Sequence, residues 1–224
     1  MQNYYSRALS AERLRLCYEL APPRVRQYLE AEIDFVLQHL GGSEHVLELG
    51  CGYGRVLREL ERKAGYVLGI DTCRESLLLA QRLLGSNPRC GLAQMDATNL
   101  GFRDGEFDLV ICVQNGIAAF GVDQEKLVGE AIRVVRRGGK ALFSSYSDRF
   151  WDDRLAWFEI QAEHELVGEL DRRATHRGVI VTRDGFEAGT VSPDDFRILS
   201  LTYGIAPQIV EVDESSVFCE MAVE

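Results

Sequence analysis

Between residues 45 and 146 the chain alternates short, continuously apolar runs with amphipathic helical patterns. The runs are "HVLEL" (45–49), "YVLGI" (66–70), "CGLAQM" (90–95), "FDLVICV" (107–113) and "KALFSSY" (140–146). Strands that are apolar at successive positions bury both of their faces, which is the mark of a parallel sheet covered on both sides. The intervening stretches carry helical stripes, with Leu77, Ala80 and Leu84 inward on 73–84 and Leu127, Ala131 and Val134/Val135 inward on 124–136. "RRGG" (136–139) stops the last of these. Strand and helix in this order predict a doubly wound α/β fold. The chain ends differently, with "PQIVEVD" and "SVFCEMAV" linked across "ESS". So short a link joins neighbouring strands antiparallel. The expectation is a mostly parallel seven-stranded sheet with a C-terminal antiparallel hairpin.

Two further segments flank this core. From Ser10 to Leu40 the chain reads as two helices broken at "APP" (21–23), the second striped by Val25, Leu29, Ile33, Val36/Leu37 and Leu40 and closed by "GG" at 41–42. Residues 148–170 read as an aromatic-rich helix, and "GVIVT" and "FEAGT" flank "RDG", a hairpin signal. Ser192, Pro193 and Asp195 open a last helix with an N-cap, a proline at N1 and a capping box. The whole therefore reads as one domain, 1–224. It comprises an N-terminal helical lid (1–43), a ligand-binding core (44–147), a lid-like insertion after the fifth strand (148–192) and the last helix with its hairpin (193–224).

With 25 Lys+Arg against 35 Asp+Glu the formal charge is −10, which disfavours bulk nucleic acid as a partner. No apolar run approaches the roughly 18 residues a membrane helix needs, and "MQNYYSRALS" lacks the apolar segment of an export signal. A cytoplasmic protein with no membrane partner is expected. Six cysteines (17, 51, 73, 90, 112, 219) form no C-x-x-C pair, so neither a disulfide framework nor a metal site is expected.

The chemistry concentrates in "VLELGCGYGRVL" (46–57), where Gly50, Gly52 and Gly54 lie between a strand and a helix. It is not G-x-x-x-x-G-K-S/T, so a triphosphate loop is excluded. The dinucleotide fingerprint wants a third glycine where Arg55 stands, at the position that allows helix and strand to pack closely. Glu48, two residues before Gly50, would repel a pyrophosphate and welcome a cation. Asp71 ends the next strand 19 residues after Gly52, where an acid can accept ribose hydroxyls. A ligand with a ribose and a cationic end, but no phosphates, satisfies all three.

These motifs resemble those of the class I S-adenosylmethionine-dependent methyltransferases of the small-molecule type. "VLELGCGYGR" is similar to their first motif and "GIDTCRESLLLAQRLL" to the acidic ribose-binding motif. "AQMDATNLGFRDGEFDLVICVQNGI" resembles the adenine-binding segment with the fourth strand, and "AIRVVRRGGKALFSSY" the helix, turn and fifth strand closing the core. The resemblance covers roughly residues 44–147 and implies a Rossmann-like methyltransferase fold with S-adenosylmethionine as cofactor and S-adenosylhomocysteine as product. It implies that Glu48, Gly50, Cys51 and Gly52 meet the methionine moiety. Arg55 becomes a candidate for its carboxylate, Asp71 holds the ribose and Thr72 lies against the adenine. Met95, Asp96 and Ala97 form the adenine site, and Val113, Gln114 and Asn115 line the methyl-donor side. Cys51 itself reads as a small residue in a tight turn.

In-line methyl transfer needs positioning more than a dedicated catalytic group, and none is evident in the sequence. "VQNG" (113–116) lacks the proline motif of amino-methylating DNA and glutamine enzymes. Asn115 stands without the clustered acids of metal-dependent catechol enzymes, and Cys17 is the only thiol in the N-terminal helices, which argues against arsenic chemistry. The acceptor is expected to be an unidentified small molecule in a pocket built from the two flanking segments. Candidate lining residues are Tyr4, Tyr5, Tyr18, Asn115, Tyr146 and Trp151; Arg15, Trp157, Phe158, His164 and His176 lie in the same segments. Two alternatives stay open: a nicotinamide-dependent (NAD(P)) Rossmann oxidoreductase, and a non-catalytic module that binds the adenosyl ligand.

Overall fold

A computed structural model describes residues 9–224. Tyr4 and Tyr5 lie outside the described residues. Helices α1 (Ala11–Glu19) and α2 (Pro23–Gln38) precede the core. The core then runs β1 (His45–Leu49), α3 (Arg55–Leu60), β2 (Tyr66–Asp71), α4 (Arg74–Leu84), β3 (Cys90–Gln94) and β4 (Phe107–Cys112). It continues through a short α5 (Gly116–Ala119), α6 (Gln124–Val134) and β5 (Val135–Tyr146). After a 3-10 turn at Asp148–Phe150 come α7 (Trp151–Glu163), the two-residue strands β6 (Ile180–Val181) and β7 (Glu187–Ala188), α8 (Pro193–Thr202), β8 (Gln208–Val212) and β9 (Ser216–Ala222).

Seven strands form one sheet in the order β3-β2-β1-β4-β5-β9-β8, and β6 pairs only with β7. Strands β1 to β5 are parallel, while β9 runs antiparallel to both β5 and β8. The doubly wound sheet with its terminal hairpin is therefore as the sequence implies. Ile33, Val36, Val56, Leu57 and Leu77 from α2, α3 and α4 bury one face of the sheet. Leu127, Val128, Ala131, Phe196 and Leu199 from α6 and α8 cover the other. Each such aliphatic side chain contributes roughly 1.5–3 kcal/mol by leaving water. Strand order reverses between β1 and β4, and the crevice beyond their carboxyl ends is where open α/β sheets bind ligands.

Boundaries differ from expectation in three places, each for a local reason. The helix expected over 148–170 ends at Glu163, because Glu165 adopts φ 56° and the Leu166 and Glu165 amides fold back onto the Gln161 and Ala162 carbonyls. That is a Schellman closure made without glycine. Strand β5 begins at Val135, five residues before "KALFSSY", and a register shift between Phe107 and Leu109 absorbs the Gly138–Gly139 segment. The terminal hairpin turns at 213–215, with Asp213 and Glu214 both at positive φ. Where the turn chemistry is explicit the reading holds: Ser192 and Asp195 form the capping box of α8, and Gly185 takes φ 88° between β6 and β7.

Candidate active site

The loop after β1 is built by glycine. Gly50 sits at φ 73°, and a Cβ there would lie 2.2 Å from the Phe120 ring. Gly54 caps α3 in the left-handed region, with the Gly54 N–H bonded to the Cys51 carbonyl. Arg55 then starts α3 with its side chain lying over the Tyr18 ring, 4.9 Å from the centroid. It does not crowd the helix against the sheet, because another residue supplies the close approach. Gly69 of β2 faces α3, and a Cβ on it would meet Leu57 Cδ1 at 2.4 Å and Cys51 Sγ at 2.7 Å.

These elements surround a cavity of about 720 Å³ at the switch point. Glu48, on central strand β1 between β2 and β4, is 4% exposed, and its Oε2 has no hydrogen-bond partner among the described residues. Arg55 Nε and Nη2 are likewise buried without hydrogen-bond partners. Burial pushes the Glu48 carboxyl up to about 8; Arg55 pulls it down and Asp71 adds to the rise. Asp71 accepts from the Gly52 amide at 2.9 Å and the Cys73 amide at 2.7 Å, tying the glycine loop to the end of β2. Burial raises its pKa, and those amides oppose the shift.

Of the residues singled out in sequence, Glu48, Gly50, Cys51, Gly52, Arg55, Asp71, Thr72, Met95, Asp96, Ala97, Val113 and Gln114 all border this cavity. So do Tyr18 and Tyr146. Asp96 also fixes its own turn, its Oδ1 accepting from the Thr98 amide and hydroxyl at 2.8 Å each. Asn115 does not border the cavity. It is 3% exposed and turned inward, donating to the Gly189 carbonyl at 3.0 Å and accepting from the Ser145 hydroxyl at 2.7 Å. Trp151 is also absent from the lining, packed instead into the cluster around Cys17, Phe158 and Leu170. Arg15 is exposed and paired with Glu12 and Glu19, and His164 and His176 are exposed.

Helix α7 brings Trp157 and Phe158, both within the segment expected to supply the pocket, to the cavity. The site also recruits Gln161 of α7 and Leu14 and Cys17 of α1, which were not candidates. Burial pushes the Cys17 thiol up to about 12, so at neutral pH it is a small apolar group, not a nucleophile. Behind the end of β4, fully buried Glu32 of α2 accepts the Gln114 amide at 2.7 Å, and Ser144 Oγ accepts it at 2.9 Å. Glu32 interrupts the apolar stripe of α2, the one sequence hint of its burial. The Tyr18 hydroxyl donates to Gln114 Oε1 at 3.1 Å.

Chemically, a carboxyl and a guanidinium at one end, with Glu48 Oε2 and Arg55 Nε and Nη2 buried and without hydrogen-bond partners among the described residues, suit an amino acid zwitterion. Acids at the ends of β2 and β3 suit hydroxyl and amino donors. Residues 46–139 match the family model described as a methyltransferase domain. Over 138 residues the chain is 34% identical to an arsenite methyltransferase of Aquipseudomonas alcaligenes, covering 56% of this chain and 39% of that protein. Over 165 residues it is 32% identical to the 2-methyl-6-phytyl-1,4-hydroquinone methyltransferase of Synechocystis, covering 68% and 51% respectively. The chain thus spans about half or less of the length of these curated relatives. Among solved structures it resembles the N-methyltransferase NodS from Bradyrhizobium japonicum, in complex with S-adenosylhomocysteine, with a TM-score of 0.60 at 15% identity over 89% of this chain and 87% of that one. The chain carries a methyltransferase domain on the class I, S-adenosylmethionine-dependent fold.

Proposed function

We propose that this chain transfers the methyl group of S-adenosylmethionine to a small-molecule nucleophile. The observation that carries the reading is the pair of buried, unpartnered groups, Glu48 Oε2 and Arg55 Nε/Nη2, at the mouth of a glycine loop that Asp71 ties down. Leaving such groups without partners costs roughly 1–3 kcal/mol each, and more when charged, so they are built for a ligand of opposite charges. A pyrophosphate offers Glu48 no cation, and would confront the group as an anion whenever it ionised, which disfavours the nicotinamide alternative.

In this reading Glu48 takes the ammonium and Arg55 the carboxylate of the methionine moiety, Asp71 the ribose hydroxyls, and Asp96 with the Ala97 amide the adenine. When bound, the cofactor supplies an electrophilic methyl on a positively charged sulfur. The chain's own residues hold it, exclude water with α1 and α7, and aim an acceptor from the Tyr18–Tyr146 side. We extend the proposal to a cytoplasmic setting, supported by six free thiols, and to the exclusion of bulk nucleic acid, supported by the charge of −10. Among the described residues no helix is long and apolar enough to cross a membrane.

Calorimetry tests the reading. S-adenosylmethionine and S-adenosylhomocysteine are expected to bind, and Asp71→Ala is expected to weaken both by roughly 1.5–3 kcal/mol, the range for a hydrogen bond to a charged group. Binding of NADH in place of both overturns the proposal. Tight cofactor binding without methyl transfer to any fraction of an extract makes the chain a binding module.

A further inference from the structure

The charged side chains that border the cavity, Glu48, Arg55, Asp71, Arg74, Glu75 and Asp96, belong to β1, β2 and the segments that follow β1, β2 and β3. A second wall, formed by Tyr18, Gln114, Tyr146, Trp157, Phe158 and Gln161, carries no charge of its own. Guanidinium groups lie over its rings, Arg55 over Tyr18 at 4.9 Å and the buried Arg154 over Tyr146 at 4.4 Å and Phe158 at 5.8 Å. An ammonium brought against these rings would meet like charge.

Within the neutral wall, one polar group is held in a fixed orientation. Gln114 sits at φ 57°, a left-handed conformation unusual for glutamine, with its N–H held by Glu32 and Ser144. Its Oε1 is engaged by the Tyr18 hydroxyl, and its Nε2 is buried with no hydrogen-bond partner among the described residues. With Oε1 engaged, Nε2 is the atom of this amide left to satisfy, and it is a donor. Tyr18 and Trp157 stand beside it, their rings 6.0 Å apart at 44°.

Resting on the methyl-transfer reading, we propose that this wall is the acceptor subsite, that it takes a planar aromatic alcohol, and that Gln114 Nε2 donates a hydrogen bond to the reacting oxygen. The valence of the acceptor atom decides between oxygen and nitrogen. A hydroxyl oxygen has two lone pairs, so one accepts from Gln114 and the other attacks. A neutral amine has a single lone pair, and the same hydrogen bond would occupy the pair that must attack. In the step, an O–CH₃ bond forms as the S–CH₃ bond breaks. The bonding pair stays on sulfur, which becomes a neutral thioether, and the hydroxyl proton leaves to water. The donor at Gln114 stabilises the oxygen as its proton departs. Glu32 and Tyr18 are positioning residues: they fix the backbone and the amide of Gln114.

A matched pair of probes with one ring system tests this: 1-naphthol and 1-naphthylamine, titrated by fluorescence into the protein saturated with S-adenosylhomocysteine. Expected is at least about tenfold tighter binding of 1-naphthol than of 1-naphthylamine. Gln114→Leu and Tyr18→Phe are each expected to lose about tenfold of that affinity. Tyr18→Phe, which keeps the ring against Arg55, should change S-adenosylhomocysteine binding less than about twofold, and Gln114→Leu, at a position that also borders the donor site, should lose less of it than of naphthol affinity. Glu32→Gln should show the same split, whereas a merely structural role would weaken both ligands together. Preference for the amine overturns the proposal, as does naphthol binding that is absent or indifferent to both Gln114→Leu and Tyr18→Phe. Failure of S-adenosylhomocysteine to bind the unmodified protein overturns the methyl-donor reading instead, and is read separately by calorimetry.

Discussion

Glu48 is a carboxyl group that burial keeps largely protonated at neutral pH in the empty protein. Its pKa stands near 8 against an ordinary 4.5, mainly through burial. Between those two values the folded state binds the extra proton. The stability linked to this group is therefore fully present below about pH 4.5 and is lost as pH rises through about 8. Glu48→Gln is expected to stabilise the empty protein by on the order of 1–3 kcal/mol at pH 9 and to change little at pH 4, as read by denaturant unfolding at the two pH values. The same substitution should abolish cofactor affinity gained on raising pH from 6 to 8, since on the proposed reading the ammonium displaces the Glu48 proton. Calorimetry in buffers of different ionisation heat would count that proton. Glu48 was legible in sequence because it stands two residues from the glycine loop. Glu32 was not: its partner Gln114 lies 82 residues away, and its place in the apolar stripe of α2 hints at burial without saying what it bonds.

At the scale of elements, the departure from the dinucleotide fingerprint has a structural answer. The close approach of α3 to the sheet is provided by Gly69, in the facing strand, which leaves the first helical position open for Arg55 to reach the cavity. Gly69→Ala is expected to cost roughly 1–3 kcal/mol of stability by overpacking Leu57 and Cys51. It should weaken S-adenosylhomocysteine binding as well, because Cys51 belongs to the loop; a thermal melt with and without ligand separates the two effects. The strands and long helices of the core were readable because continuous apolar runs, caps and glycine turns are local signals. The early end of α7 was not, since its left-handed closing residue is Glu165. Asn115 misled for a related reason. An Asn-Gly pair after β4 marks a turn, but the long-range bonds to Ser145 and Gly189 that turn its side chain inward leave no trace in the sequence.

Across the whole molecule, α1 is fastened to distant parts of the chain. The Ala11 amide donates to Ser76 Oγ at 3.0 Å, Arg13 donates to the Glu165 and Leu166 carbonyls, and Trp157 Nε1 donates to the Cys17 carbonyl at 3.0 Å. Trp157→Phe keeps the apolar body and removes the last of these. Loss of one buried hydrogen bond, roughly 1–1.5 kcal/mol, is expected to speed amide exchange in α1 about tenfold while β1 and β4 keep their protection, as read by hydrogen–deuterium exchange. Exchange that accelerates equally in the core strands would show α1 to be part of the global folding unit and not a separable cover.

The uneven distribution of the cavity's two walls along the chain has a further consequence. The donor side is assembled from 48 to 97, a nearly continuous stretch, while the opposite side gathers single positions from 18, 114, 146 and 157–161. On the proposed reading, substitutions that reshape what is methylated fall mainly on scattered helix and loop positions, Tyr18 excepted, since its ring carries the Arg55 guanidinium. Away from that contact, such a molecule could change its clientele by drift, one side chain at a time, and keep its source of methyl groups.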